Sequence, residues 1–104
     1  MKLSYHNLAE AEIDNSLSWY EERSERAFDQ FRIRLASALS FIAQSPERFP
    51  RVYNEFRSAR VNKFSYKIIF RVEQGTVFVI ALHLTSATLS IGRIEPFNFR
   101  RVPW

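Results

Sequence analysis

The sequence predicts one α+β domain in which an antiparallel αα-hairpin packs on a mainly antiparallel sheet of three to four strands. Three observations carry that prediction. Apolar residues step by three or four through two successive stretches of the first half, as helices require. They alternate at every second position through Arg57–His83, as half-buried strands require. Pro46, Pro50 and Gly75 fall between the periodic stretches, where turns belong. The expected order is β-α-α-β-β-β, with the helices on one face of the sheet.

Each element has its own warrant. Lys2–Tyr5 reads as a short opening strand with Leu3 and Tyr5 on one side. Asn7 is the expected cap of the first helix, accepting a bond from an early backbone N–H. Ala9, Ile13, Leu17 and Tyr20 form that helix's apolar stripe. Glu10, Glu12 and Asp14 sit in its first turns, where negative charge suits the helix dipole and a solvated face is expected. The pattern breaks at Ser24, the expected cap of a second helix whose stripe is Phe28, Phe31, Leu35, Ala38 and Ile42. Ile33 and Phe41 fall off that stripe and are expected to cover a flank. Pro46 ends the helix, because an interior proline removes a hydrogen bond and clashes with the preceding turn. Ser45–Tyr53 reads as a loop anchored by Phe49. Strands follow over about Arg57–Lys63, Tyr66–Val72 and Val77–His83, the last two joined at Gln74-Gly75. In the middle strand Tyr66, Ile68, Phe70 and Val72 share the face expected under the helices; Lys67, Ile69 and Arg71 share the other. A further strand over Ala87–Ile91 and an extended tail complete the reading.

Composition narrows the class. The chain has 104 residues, 46% of them hydrophobic, with ten Phe and only two Gly, which fits a single packed core. No cysteine is present, so disulfides and zinc-thiolate sites are excluded and a reducing, cytoplasmic setting is expected. The longest apolar run, Val77–Leu82, is too short to span a bilayer, and no membrane association is expected. Net charge is +4, but residues 1–52 carry seven Lys/Arg against eight Asp/Glu, while residues 53–104 carry eight against three. That asymmetry places a basic surface on the sheet and tail, open to RNA, DNA, an acidic protein or plain solvent.

Several stretches resemble a known family. SLSWYEERSERAFDQF and then SPERFPRVYNEFRSARVNKFSYKIIFRVEQGTVFVIALH are similar to the ParE-like branch of the RelE/ParE superfamily, the toxins of type II toxin–antitoxin (plasmid stabilisation) systems. The resemblance rests on Trp19-Tyr20-Glu21, on Pro46-x-x-Phe49-Pro50, and on Phe64-x-Tyr66-x-Ile68-x-Phe70-Arg71-Val72 ahead of a strand ending in His83. It places a RelE/ParE-like toxin domain over residues 1–83 and a divergent C-terminal segment of the same domain over 84–104. Ser65 stands where the family usually has proline, and the basic pair Arg100-Arg101 with Pro103 and Trp104 comes later after His83 than is usual. In ParE-like toxins the C-terminal segment is implicated in toxicity.

The resemblance implies a toxin that binds and inhibits DNA gyrase and is neutralised by a cognate antitoxin in a hetero-oligomer. On that reading Arg57, Arg60, Lys63, Arg93, Arg100, Arg101 and Trp104 meet the target, and Tyr20, Phe28, Phe31 and Arg71 meet the antitoxin. Tyr20, Phe28 and Phe31 also read as ordinary core. The alternative is a RelE-like endoribonuclease acting on messenger RNA at the ribosome, with Lys67, Arg71 and His83 as the candidates. Such cleavage needs a base at the 2′-OH, an acid at the leaving oxygen and cations for the phosphorane. Histidine titrates near neutrality, but His83 also reads as a packed strand-end residue. No Tyr follows Tyr66 and no His follows His83, so a second proton-transfer partner is missing and the enzyme reading ranks second. A third alternative is a non-toxic relative that still binds antitoxin. Two histidines 77 positions apart without cysteine give no metal motif, two isolated glycines give no phosphate loop, and no cofactor is expected.

Overall fold

The alternation that begins at Tyr66 sets the centre of the molecule. The computed structural model describes residues 1–84. In it, strand β4 (Tyr66–Glu73) is flanked by β5 (Thr76–Leu84) and β3 (Phe56–Arg60), with β1 (Lys2–Tyr5) and β2 (Arg51–Tyr53) at the edges. The order is β1-β5-β4-β3-β2, one strand more than the three to four that the pattern counts. The extra strand is β2, which lies inside the stretch read as a loop. β1 pairs with β5 in parallel, and every other pairing is antiparallel. The strand expected over Ala87–Ile91, and Arg93, Arg100, Arg101 and Trp104, lie outside the described residues.

Helices α1 (Asn7–Arg23) and α2 (Glu25–Gln44) turn at Ser24, whose hydroxyl accepts from the Ala27 N–H as the sequence predicts. Phe31, Leu35, Ala38 and Ile42 of α2 and Ala9 of α1 are buried against Ile68, Phe70, Val77, Val79 and Leu82. Burying a side chain such as Ile42 contributes roughly 1.5–3 kcal/mol. Phe49 joins this core edge-on to Phe70, at 5.8 Å between ring centres. Ile33 and Phe41 do not cover a flank: each is 55% exposed on the outer surface of α2.

Two local expectations are corrected. The cap of α1 is His6, not Asn7: the imidazole Nδ1 accepts from the Leu8 N–H at 3.0 Å, and Asn7 is already helical. Glu12 does not belong to a solvated helix start. Its carboxylate reaches the sheet and accepts from the Leu82 N–H at 2.9 Å. β1 runs alongside β5 only as far as the Tyr5–Val79 pair, so the side chain takes over where the strand stops.

The β4–β5 hairpin turns at Gln74 (φ 50°) and Gly75 (φ 76°), the two successive left-handed residues that a tight hairpin requires. Farther along, pairing slips by one residue: Phe70 faces Val79, but Ile69 faces Ala81. Ile80 is therefore the extra residue of a β-bulge. Because side chains alternate, one inserted residue exchanges the faces of everything beyond it. Val77 and Val79 lie in the helix-side core before the bulge, and Leu82 lies there after it. Ile80 and Ala81 join Phe56, Ile69 and Leu8 in a smaller second cluster.

Candidate functional site

That bulge arranges the basic face of the sheet. Without it, Lys67 would oppose Leu82 and His83 would point with Val77 and Val79 toward the helices. With it, Lys67 pairs directly with His83, and Arg60 pairs with Lys67 from the other side. Arg60, Lys67 and His83 thus form one row across β3, β4 and β5, on the face away from the helices. Directly opposed residues of antiparallel strands have Cβ atoms about 4.5–5.5 Å apart, so the three side chains are neighbours. Arg60 is exposed; Lys67 and His83 are half-buried.

The remaining candidates among the described residues are not gathered there. Arg71 shares the face of Lys67 but lies four residues along β4, about 13 Å away. It is paired with Glu73 at 2.6 Å, and its guanidinium lies 4.9 Å from the centre of the Phe78 ring. Arg57 opposes Phe70 on the helix side, where it donates to the carbonyl oxygen of Phe49 and ties down the loop before β2. It is separated from the basic row by the thickness of the sheet. Lys63 stands exposed in the β3–β4 turn with φ 70°, a left-handed conformation uncommon for a long side chain.

The aromatic candidates divide by depth. Phe31 is fully buried, with its ring 4.7 Å from Tyr20, 5.2 Å from Phe64 and 5.2 Å from Tyr66. Tyr20 and Phe28 are half-buried at the hairpin. Burial, and then the neighbouring Tyr66, push the Tyr20 phenol above its ordinary value. Burial alone does the same to Tyr5. Trp19 is 48% exposed beside Tyr20, with the Arg23 guanidinium 3.9 Å from its ring centre.

A groove of about 900 Å³ runs from this corner of the sheet along β3, lined by Phe49, Val61 and Phe64 and by Arg60, Lys63 and Lys67, with no carboxylate among the described residues of its walls. Among the described residues no group of three or more His, Cys, Asp or Glu side chains is placed to hold a metal ion. Among the same residues no helix is long and apolar enough to cross a membrane.

Two helices lie on one face of a five-stranded mixed sheet entered by a parallel edge strand, an α+β arrangement. No protein-family profile and no curated protein sequence matches the chain. Among solved structures, the chain is similar to one described as the chromosomal ParDE TA system from P. aeruginosa. The TM-score is 0.63 at 18% identity, covering 81% of this chain and 95% of that one. At that identity the likeness speaks for the fold.

The resemblance points to Lys67, Arg71 and His83 together as cleavage candidates, but not to the row that joins Arg60, Lys67 and His83. The signal was available only from the hairpin register, and the unbroken apolar run Val77–Leu82 hides the bulge that sets it.

Proposed function

We propose that this protein is the toxin of a type II toxin–antitoxin system, ParE-like in action, which binds and inhibits DNA gyrase in the cytoplasm and is held inactive by a cognate antitoxin. The observation that carries this reading is the likeness to a chain of the ParDE system over nearly all of that chain's length, together with the arrangement of two helices on a five-stranded sheet. The exposed cations Arg60 and Lys63 supply a surface for an acidic macromolecule. Gyrase supercoiling with purified protein tests it. Inhibition is expected, with messenger RNA on programmed ribosomes left intact.

One observation favours a second reading. The row Arg60–Lys67–His83 puts two cations beside an imidazole, which suits RNA cleavage through a phosphorane. Cleavage of ribosome-bound messenger, abolished by His83→Ala, with no effect on supercoiling, would replace the gyrase reading with an endoribonuclease. Neither activity, with antitoxin binding retained, would leave the non-toxic relative.

A further inference from the structure

The bond between Glu12 and β5 does more than finish an edge strand, because the backbone of β5 can be followed residue by residue. The Val79 carbonyl points to the β1 side, where it accepts from the His6 N–H at 2.9 Å. Backbone groups of a regular strand alternate in direction, so three residues later the Leu82 N–H would point the opposite way, toward β4. Instead it donates to Oε1 of Glu12 at 2.9 Å, on α1. The extra residue Ile80 accounts for the reversal, since a bulge sets two successive residues against one partner. The Glu12 bond therefore exists only in the bulged register. His6 fixes where the carboxylate stands. Its N–H ends the β1 pairing and its Nδ1 caps α1 at the Leu8 N–H, so Glu12 follows at a set distance.

We propose that Glu12 is a positioning residue that selects this register and thereby sets His83 opposite Lys67. The run Val77–Leu82 is apolar at every position, so it lacks the alternation that ordinarily pins a strand. Closing the bulge would slide the end of β5 by one residue. Ile80 would then face Ile69, Ala81 would face Ile68, and Leu82 would take the place of His83 opposite Lys67. Apolar residues would still pair with Ile68 and Ile69, while the imidazole would turn to the helix side opposite Tyr66. In that register the Leu82 N–H would point toward β4 and lose Glu12. A carboxylate accepting a backbone N–H makes a charge-assisted bond, roughly twice as strong as a neutral one, and its full weight falls on the bulged arrangement. Helix α1 is in this way part of the support of the basic row, although it lies on the other face of the sheet.

The row is assembled in this way whether it meets gyrase, RNA or neither, so the test needs no activity. Nuclear magnetic resonance of the whole protein distinguishes the two registers, because each brings different α-protons together. Opposed residues whose backbone groups point away from each other approach most closely, with Cα atoms about 4.5 Å apart. Ile68 and Leu82 are such a pair in the bulged register; Ile68 and Ala81 would be one in the slipped register. Glu12→Ala should weaken the nuclear Overhauser contact between the Ile68 and Leu82 α-protons and bring up one between Ile68 and Ala81. Contacts between the Lys67 and His83 side chains should be lost with it. Glu12→Gln keeps a side-chain carbonyl at the same reach and should retain the wild-type pattern. The α-proton contact of Phe70 with Val79, ahead of the bulge, should persist in both variants. A wild-type pattern in Glu12→Ala would overturn the inference, as would Glu12→Gln slipping as far as Glu12→Ala. So would loss of the Phe70–Val79 contact in Glu12→Ala, or its failure to fold, since Glu12 would then support the fold at large rather than the register.

Discussion

Replacing Phe31 by alanine separates two roles that its position in the second helix allows. If the ring belongs to an antitoxin groove, its loss weakens binding and leaves the fold intact. The structure places it under full cover, ringed by Tyr20, Phe64 and Tyr66 at 4.7–5.2 Å. A buried Phe→Ala change costs about 3–5 kcal/mol, including the cavity left behind. Whole domains of this kind are stable by only about 5–15 kcal/mol, so the loss is a large share of the total. With a urea slope of about 2 kcal/mol per molar, a loss of about 4 kcal/mol moves the unfolding midpoint down by about 2 M. Phe31→Leu refills much of the volume but forfeits the ring pairs, at about 0.5–1.5 kcal/mol each, and should fall between wild type and alanine. The measurement is urea unfolding followed by circular dichroism. An alanine variant with an unmoved midpoint and impaired antitoxin binding would refute the core assignment.

Three other outcomes are expected. Glu12→Ala removes a charge-assisted acceptor from the Leu82 N–H and should lower stability by about 1–3 kcal/mol, read from the same unfolding curves. Gly75→Ala meets no atom within 4 Å, so its effect is the left-handed backbone alone, about 1 kcal/mol; a larger loss would point to a contact absent from the fold described. The raised phenols of Tyr5 and Tyr20 favour the protonated form in the folded state. Their contribution is complete below pH 10, the ordinary tyrosine value, and is lost as pH climbs through the higher folded values. Alkaline unfolding should therefore be shallower in Tyr20→Phe, and an unchanged pH profile would count against the burial argument.

Much of this architecture is legible in the chain because its signals are local. The stripe from Phe31 to Ile42 and the alternation from Tyr66 to Val72 each identify an element and its buried face, and Gly75 marks the hairpin between the last two strands. What stayed hidden depends on residues far apart or on patterns too short to repeat. β2 has three residues and cannot display alternation. Histidine is not among the favoured helix caps, so the asparagine beside His6 draws the assignment. Glu12 looks like a helix-dipole residue until β5, 70 positions later, is brought beside it. The basic row was hidden for the same reason: its membership turns on one inserted residue within a continuous apolar run.

The parallel pairing of β1 with β5 also bears on when the sheet can be completed. Lys2 meets Thr76 and Tyr5 meets Val79, so the first strand waits for nearly the last one described. At about 5–20 residues per second, several seconds of translation pass before that partner is made. Until then the edge strand β1 has no partner, and the row from Arg60 to His83 is not assembled. The topology ties completion of the sheet to the emergence of β5.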